Sequence, residues 1–182
     1  MKLRTPLTED VVRRLNVGDR ILLSGTIVTA RDTAHKYLSE GGNVPFDLNV
    51  IYHCGPLVKE VKVVSAGPTT SMREEPYEAD VIRKFRVRAV IGKGGMGDKT
   101  LKAMGKFGCV YLAAVGGAGV LMAGKVEGIR QSYKLKEFGA PEAFRVLEVK
   151  DMPLVVTMDT KGRSIYRDVE SKSCKNLRKT IR

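Results

Sequence analysis

The stretch from Val61 to Lys99 most constrains the fold, because it contains two short apolar segments that each end in a loop of small and polar residues. The segments, Val61–Ser65 and Arg86–Ile91, are rich in β-branched residues and are bounded by glycine and proline, a pattern that predicts β-strands. The loops after them read GPTTSMR and GKGGMG. Ligands bind at the carboxyl ends of strands in open α/β sheets, so we expect both loops to face one site that suits a small anion.

A third polar segment follows a predicted strand at Arg20–Ala30, in which Gly25 is a candidate bulge. The segment TARDTAHKYL predicts a helix with Arg31 near its N-terminus, where free N–H groups and the helix dipole favour anions. An arginine there can hold a carboxylate through two parallel hydrogen bonds. From the residues alone, however, a solvated helix face is the simpler interpretation of Arg31, His35 and Lys36.

The first of the two loops presents three adjacent hydroxyl groups, on Thr69, Thr70 and Ser71. An ordinary helix cap is the alternative explanation, because serine and threonine are common at that position. Arg73 follows one turn after Thr69 and, in a nascent helix, projects to the same side. Hydroxyls and a guanidinium that converge on one point are what a hydroxy-dicarboxylate would require.

Taken together, the three motifs TARDTAHKYL, AGPTTSMR and VIGKGGMG resemble the β subunit of two-subunit class I fumarases and L-tartrate dehydratases. They are equally similar to the C-terminal domain of the single-chain members. The resemblance runs from about Thr5 to Tyr166, and the motifs follow the order of the family. It implies a single α/β domain in the swivelling β/β/α arrangement, with three layers and a mostly parallel central sheet, where the residues alone predict only a mixed sheet.

The resemblance also implies an activity, a hydro-lyase that reversibly removes water from a hydroxy-dicarboxylate, converting malate to fumarate or tartrate to oxaloacetate. In this family a separate α subunit, or an N-terminal domain, holds a four-iron four-sulfur cluster. The three cysteines of this chain, Cys54, Cys109 and Cys174, are far apart and include no CxxC pair. We therefore expect no metal, cluster or disulfide in this chain alone, and we expect an α subunit as its partner in a hetero-oligomer.

Residue roles follow from the same resemblance. It implies that Thr69 transfers a proton, although a threonine hydroxyl is a poor base unless its neighbours lower its pKa. It also implies that Arg31, Arg73 and Lys93 bind the substrate carboxylates. The family usually has an aromatic and a small residue at positions 53 and 54, so His53 and Cys54 depart from the pattern, and we assign them no role. Candidate supporting residues are His35, Lys36, Thr70 and Gly92.

An RNA-binding KH module is the alternative hypothesis, because the loop Gly92–Gly95, with a predicted helix and strand after it, matches the GxxG signature. The net charge of +12 fits nucleic acid, but it equally fits an acidic partner subunit or a site that attracts dicarboxylates. A KH module leaves the other two polar segments unexplained. We therefore favour the dehydratase interpretation and do not expect a nucleic-acid partner.

At 182 residues the chain is long enough for one well-packed domain, which we place at 1–168, followed by a basic tail at 169–182. The tail ends in Lys172–Arg182, a stretch of cations without an acid that predicts a mobile, solvated end. The domain closes with a predicted strand at Phe144–Val149 and a hairpin of 154–159 with 164–166. No apolar run approaches the ~20 residues of a membrane span, and the N-terminus lacks a signal-peptide core, so we expect a cytoplasmic protein.

Overall fold

The fold is built from nine β-strands and seven α-helices within residues 1–180, the part of the chain that the computed structural model describes. The strands are β1 (Lys2–Arg4), β2 (Arg20–Thr29), β3 (Val50–Tyr52), β4 (Leu57–Lys59), β5 (Lys62–Ser65), β6 (Ala89–Gly92), β7 (Val110–Ala113), β8 (Val126–Tyr133) and β9 (Phe144–Met158). The helices are α1 (Glu9–Arg14), α2 (Asp32–Ser39), α3 (Glu75–Phe85), α4 (Asp98–Phe107), α5 (Gly119–Ala123), α6 (Leu135–Phe138) and α7 (Ile165–Thr180). A 3₁₀ helix, Ser71–Glu74, precedes α3.

Seven of the described strands form one mixed sheet in the order β1-β2-β3-β6-β7-β9-β8. The neighbours from β1 to β7 run parallel, whereas β9 is antiparallel to β7, to β8 and also to β2. The pairing of β2 with β9 closes the five strands β2, β3, β6, β7 and β9 into a barrel-like ring. One α/β domain with a mixed sheet is therefore confirmed, but the closed ring does not clearly correspond to the expected three-layer arrangement.

Strand β9 closes the ring because it is 15 residues long and pairs with β2, β7 and β8 along its length. The expectation of two separate strands here, with a hairpin of 154–159 and 164–166, is wrong. Met158 and Ser164 share only an isolated bridge, and Ile165 begins α7. Asp151, with a left-handed φ of 46°, and Pro153 break the strand pattern in the sequence, yet Pro153 still lies in register opposite Leu22.

Strand β5 does not belong to this sheet, which corrects the premise that the two loops follow strands of one sheet. It pairs antiparallel with β4 in a separate two-stranded sheet. The loop after β5 nevertheless reaches the carboxyl ends of the parallel strands, through contacts described below. Its position is therefore set by docking and not by shared strand register.

Alternate residues of the ring strands face two different cores, as the period of two along a strand requires. Ile27 and Ile91 belong to one cluster, which is formed mainly by side chains of all five ring strands. Their neighbours Val28 and Val90 belong to a second cluster, which includes residues of α2, α3 and α4. The helices that lead away from the carboxyl ends of β2 and β6 are thus anchored to the sheet by buried apolar contacts.

Helix α7 is continuous across positions 168 and 169, where the sequence suggests that a basic tail begins. The side chains from 169 to 178 are exposed, and residues 181–182 of the expected tail lie outside the described part of the chain. Among the helices of residues 1–180, none combines the length and apolar character needed to cross a membrane.

Candidate active site

The parallel strands end together and bring their following residues to one edge, which we call the carboxyl edge. Arg31 follows β2 and is the N-terminal cap of α2, His53 follows β3, and Lys93 follows β6. Backbone hydrogen bonds continue past the strand ends, since the N–H of His53 donates to the carbonyl of Ile91 at 2.8 Å. The carboxyl edge is therefore held together by main-chain hydrogen bonds, and it carries Arg31 and Lys93, two of the cationic residues predicted to bind substrate.

The loop after β5 docks onto the carboxyl edge between His53 and Lys93. The N–H of Thr69 donates to the carbonyl of His53 at 2.7 Å, and the N–H of Lys93 donates to the carbonyl of Thr69 at 3.2 Å. Thr70 and Lys93 form an isolated parallel bridge, and the N–H of Ser71 donates to the carbonyl of Lys93 at 3.0 Å. Thr69 and Lys93, which are 24 positions apart, are thus in direct backbone contact.

The two arginines of the predicted site meet at Asp32, the first residue of α2. Arg73 Nη2 lies 3.0 Å from Asp32 Oδ2, and Arg31 Nη2 lies 3.9 Å from the same oxygen. Glu142 holds Arg31 from the other side, with its Oε1 3.3 Å from Nε. Because Arg31 is 21% exposed and Arg73 is 46% exposed, both guanidinium groups are accessible while two carboxylates orient them.

Lys93 and the threonines line the same exposed surface. Among the side chains of residues 1–178, no carboxylate oxygen lies within ion-pair distance of Lys93 Nζ. The hydroxyl of the half-buried Thr69 donates to the carbonyl of His53 at 3.0 Å. Thr70 is exposed and caps the 3₁₀ helix without a side-chain hydrogen bond. An ordinary helix cap therefore does not account for the hydroxyl of Thr70.

Three predicted supporting residues have different positions. Lys36 is exposed and forms an ion pair with Glu40 at 3.9 Å, one turn further along α2, so it does not join the cations of the site. His35 and Gly92 are buried beneath the site. Of the candidates from the TARDTAHKYL motif, only Arg31 therefore reaches the surface of the carboxyl edge.

His35 belongs to a chain of polar contacts under the carboxyl edge. Its Nδ1 lies 2.9 Å from the carbonyl oxygen of Arg31, and its Nε2 lies 2.9 Å from Oε2 of Glu78 on α3. His53 Nε2 lies 3.0 Å from the same oxygen of Glu78. All three side chains are completely buried, so one carboxylate holds two histidine rings in an apolar setting.

The chain continues from His53 toward β7. His53 Nδ1 lies 2.8 Å from Ser71 Oγ, which is 2.7 Å from the hydroxyl of the buried Tyr111. A Cβ at Gly92 would overlap Ser71 Oγ, so any larger residue at this position would displace the Ser71 hydroxyl. We call His35, Glu78, His53, Ser71 and Tyr111 the histidine array.

Sequence reasoning missed most of this array. Ser71 appears in the notable loop only as a third hydroxyl, and nothing marks Tyr111 or Glu78. The available signal is the helical spacing of Arg31 with His35 and of Glu74 with Glu78, four residues apart in both pairs.

Burial and ion pairing act in opposite directions on the charged groups of the array. Burial alone would lower the pKa of His35, but Glu78 and then Glu74 raise it to about 9. Burial would raise the pKa of Glu78, but His35 and His53 lower it to about 2. Burial lowers the pKa of His53 despite its contact with Glu78. At neutral pH these directions describe a His35 imidazolium, a Glu78 carboxylate and a neutral His53.

Glu74 is a second buried carboxyl group beside this pair. Its Oε2 lies 4.0 Å from His35 Nδ1, and among the side chains described, those of residues 1–178, neither of its oxygens has a hydrogen-bond partner. Burial raises the pKa of Glu74 to about 7, against the opposing effect of His35. Glu74 therefore changes charge near neutral pH.

The cysteines do not form a site for a metal cluster. Cys54 and Cys109 are buried, Cys174 is exposed, and in the described part of the chain no cysteine belongs to a group with the spacing of metal ligands. Burial raises the pKa of Cys54 to about 12 and that of Cys109 well above its usual value, so both remain thiols.

His35, His53 and Glu78 have donor atoms within 4.8 Å of one another, a spacing that also occurs in metal sites. Both ring nitrogens, however, lie on a single carboxylate oxygen at 2.9 and 3.0 Å, the usual N–H···O distance. Zinc ligands surround the ion tetrahedrally at about 2.0–2.2 Å. The distances therefore correspond to a carboxylate that accepts a hydrogen bond from His53 Nε2 and has a close polar contact with His35 Nε2, which lies outside hydrogen-bond geometry.

The glycines of the loop 92–95 are explained by packing within the domain. A Cβ at Gly95, where φ is +76°, would overlap the ring of Tyr166, and a Cβ at Gly94 would lie 4.0 Å from Cγ2 of Thr70. The KH hypothesis, which rests on this loop, gains no support from these contacts.

Comparison with known proteins identifies the family. The model of the family described as Fumarase C-terminus matches residues 1–169. A protein of Geobacillus stearothermophilus assigned as a class I fumarate hydratase is 48% identical, over 96% of this chain and 35% of its own length. The chain thus spans only about a third of that relative.

Two further relatives match over most of their own length. A protein of Methanocaldococcus jannaschii assigned as an L(+)-tartrate dehydratase subunit beta is 44% identical, over 96% of this chain and 95% of its own length. The L(+)-tartrate dehydratase subunit beta of Escherichia coli K12 is 40% identical, over 91% of this chain and 86% of its own length. The resemblance drawn from the three motifs is confirmed, and the chain belongs to the Fumarase C-terminus family.

Proposed function

We propose that the chain is the β subunit of a cytoplasmic hydro-lyase that reversibly removes water from a hydroxy-dicarboxylate, either malate or tartrate. The convergence of Arg31, the Thr69–Arg73 loop and Lys93 at the carboxyl edge is the observation that carries this proposal. Relatives named as fumarate hydratase and tartrate dehydratase support the reaction class. Both names denote enzymes that act on four-carbon diacids.

Three cations would hold the two carboxylates of the substrate. Charge-assisted hydrogen bonds between guanidinium and carboxylate are short, strong and often two-pronged, which suits Arg31 and Arg73. Lys93 would add a compact positive charge from the other side of the loop. Asp32 now pairs with Arg73, so a bound carboxylate would compete with Asp32 for that guanidinium.

Thr69 is the proposed proton-transfer residue. Its hydroxyl donates to the carbonyl of His53, so Thr69 would first lose this proton to solvent and then accept the substrate proton as an alkoxide. The main chain of Thr69 is bonded to that of Lys93, and the Lys93 ammonium, turned toward the hydroxyl, would favour this deprotonated form. This role would explain why a threonine occupies the start of the loop.

A partner subunit would complete the site. The cysteines of this chain do not fit a cluster, so we propose that an α subunit carries the four-iron four-sulfur cluster, which supplies Lewis-acid chemistry for the departing hydroxyl. The side chains of Thr70, Arg73 and Lys93 are exposed, so a partner subunit could contact them. We also retain the swivelling β/β/α arrangement as a proposal, supported by the parallel strands β1, β2, β3, β6 and β7.

The proposal is tested by reconstitution. The chain is purified alone and also together with a cluster-bearing α subunit under anaerobic conditions, and both samples are assayed with malate, fumarate and tartrate. We expect hydro-lyase activity only in the complex, with a preference for one of the two substrate pairs. Turnover by the iron-free chain alone, or an inactive complex with an intact cluster, would contradict the proposed division of labour.

A further inference from the structure

The histidine array connects the segments that carry the proposed substrate-binding residues. His35 contacts the backbone of Arg31, at the start of α2. At the other end, Ser71 belongs to the same loop as Thr69, and its N–H is bonded to the carbonyl of Lys93. Every member of the array is completely buried, so water does not compete for these contacts. The array therefore lies under the site without touching the surface where substrate would bind.

The hydrogen-bonding partners fix the protons of His35. The carbonyl oxygen of Arg31 can only accept a hydrogen bond, so Nδ1 of His35 carries a proton. His35 Nε2 lies 2.9 Å from Oε2 of Glu78, outside hydrogen-bond geometry but at ion-pair distance, and at that distance a protonated nitrogen attracts the carboxylate whereas a lone pair would repel it. His35 then carries protons on both ring nitrogens and is a buried imidazolium.

The partners of His53 lead to a different protonation state. Its Nε2 faces the shared Glu78 oxygen and donates to it. Its Nδ1 faces the hydroxyl of Ser71, which can donate to it because the hydroxyl of Tyr111 can in turn donate to Ser71. A neutral His53 with its proton on Nε2 satisfies every contact in this row. All hydrogen bonds in this row are then donated in one direction, from Tyr111 through Ser71 and His53 to Glu78.

We propose that the histidine array is a positioning device, in which a His35 imidazolium and a neutral His53, both held by the Glu78 carboxylate, fix the backbone of Arg31 and the loop that carries Thr69. This inference rests on the proposed function, since it concerns how the carboxylate-binding residues are kept in place. His35, His53, Glu78 and Ser71 are positioning residues, because they act through the segments they hold.

The charged groups around His35 come from three elements. Glu78 of α3 contacts the ring directly, Glu74 of the 3₁₀ helix lies 4.0 Å from Nδ1, and the His53 ring packs edge-on with a centroid distance of 4.9 Å. Asp32 and Arg73 lie further out and act on Glu74. Both carboxylates favour the imidazolium, and a protonated His53 would oppose it. The proposed charges are thus mutually consistent.

Nuclear magnetic resonance tests the protonation states directly, because the chain contains two histidines and both belong to the array. The full chain is labelled with ¹⁵N-histidine, and ring nitrogen shifts are recorded across the neutral pH range. We expect one ring with both nitrogens protonated and one neutral ring with its proton on Nε2. The proposal would be overturned if both rings were neutral, or if both titrated like solvent-exposed histidines. It would also be overturned if one equivalent of added zinc changed the ring nitrogen shifts.

A matched pair of serine variants tests the positioning role. Ser71→Ala removes the hydroxyl that joins His53 to Tyr111, whereas Ser164→Ala removes a buried hydroxyl that has no hydrogen-bond partner among the side chains of residues 1–178. In the complex, well below the melting temperature, we expect Ser71→Ala to raise KM about three- to tenfold, the size of one lost hydrogen bond. Ser164→Ala should stay within about twofold, inside the usual range for neutral substitutions. Equal kinetics for the two variants would overturn the proposal.

Backbone amide shifts provide a readout that does not need activity. In the isolated chain, Ser71→Ala should shift the ring signals of His53 and the amides of Thr69 and Lys93, and Ser164→Ala should leave them in place. Unmoved signals in Ser71→Ala would overturn the array as a positioning device. An inactive wild-type complex with the expected ring protonation would instead refute only the proposed function.

Discussion

Lys93 is the residue for which binding and stability can be separated most cleanly. It is exposed and, within residues 1–180, has no ion-pair partner, so Lys93→Ala should leave the free energy of unfolding nearly unchanged. A charge-assisted contact to a substrate carboxylate is typically worth about 1.5–3 kcal/mol. We therefore expect the catalytic efficiency of the complex to fall about tenfold or more, measured as kcat/KM.

Arg83→Ala is the matched control for this variant. Arg83 is also exposed, but it lies on α3 and pairs with Asp80 at 3.3 Å, away from the carboxyl edge. Both variants remove one positive charge, so a general electrostatic effect would lower both efficiencies alike. Equal losses in the two variants would show that Lys93 belongs to a solvated surface and not to the site.

Gly92 gives a prediction about packing. A Cβ there would overlap Ser71 Oγ and lie 2.8 Å from the hydroxyl of Tyr111. Overpacking of a buried site costs about 1–3 kcal/mol, so Gly92→Ala should lower the free energy of unfolding by that amount in chemical denaturation. Gly128→Ala is the control, because nothing lies within 4 Å of its added Cβ. A stable Gly92→Ala would show that the array tolerates displacement of Ser71.

At the residue scale the sequence predicted which cations meet, but not what holds them. Arg31, Arg73 and Lys93 were predicted because the three motifs that contain them together resemble those of a known family. Asp32 and Glu142 orient the arginines, and Glu142 is more than a hundred positions from Arg31. Ordinary acidic residues carry no local pattern, so only the folded structure reveals such long-range partners.

At the scale of elements, the array joins α2, α3, the 3₁₀ helix and the ends of β3 and β7, so its titration should appear in the stability of the domain. The pKa of His35 is raised from 6.5 to about 9 in the folded state. Its contribution is therefore fully present below the unfolded value of 6.5 and is lost as the pH rises through about 9. The loss should be on the order of 2–4 kcal/mol.

At acid pH, Glu78 gives the stability of the domain a pH dependence of the opposite sign. The pKa of Glu78 is lowered from 4.5 to about 2, so its contribution is present above 4.5 and is lost as the pH falls towards 2. The free energy of unfolding of wild type and of His35→Gln, measured with a denaturant from acid to alkaline pH, tests both of these pH dependences. We expect the difference between the two proteins to shrink as the pH rises from 6.5 to about 9. A difference that stays constant up to strongly alkaline pH would contradict a charged His35.

Local patterns predicted individual elements better than their pairing. The bulge predicted at Gly25 is found, since β2 has a register shift against β9 between Leu23 and Gly25. The closure of the sheet by β9 and the separation of β5 from it were not predicted. Both depend on long-range pairing, and residues such as Pro153 carry a local signal that points the other way.

At the scale of the whole molecule, the positive charge is unevenly distributed. The segment 169–182 contains five cations and one acid, so ending the chain after Asp168 would lower the net charge from +12 to +8. The side chains from 169 to 178 are exposed, and the family match ends at 169. At the start of α7, Tyr166 packs on Tyr111 and its hydroxyl lies 3.3 Å from Oγ1 of Thr157, and Arg167 Nε lies 3.5 Å from Oδ1 of Asp98.

These facts predict that the shortened chain keeps its fold and its site. Exposed side chains contribute little to stability, and the ring of Tyr166 is retained, so the melting temperature should fall by no more than about 2–4 °C, which corresponds to about 1 kcal/mol for a chain of this length. Tyr166→Ala in the full chain is the contrasting variant, because it removes a packed ring and should cost more stability. With the α subunit, the shortened chain should keep its kcat/KM within about twofold. A shortened chain that folds but no longer assembles with the α subunit, or no longer turns over substrate, would contradict this prediction. That result would show that the exposed part of α7 contacts the partner and that the domain does not end at residue 168.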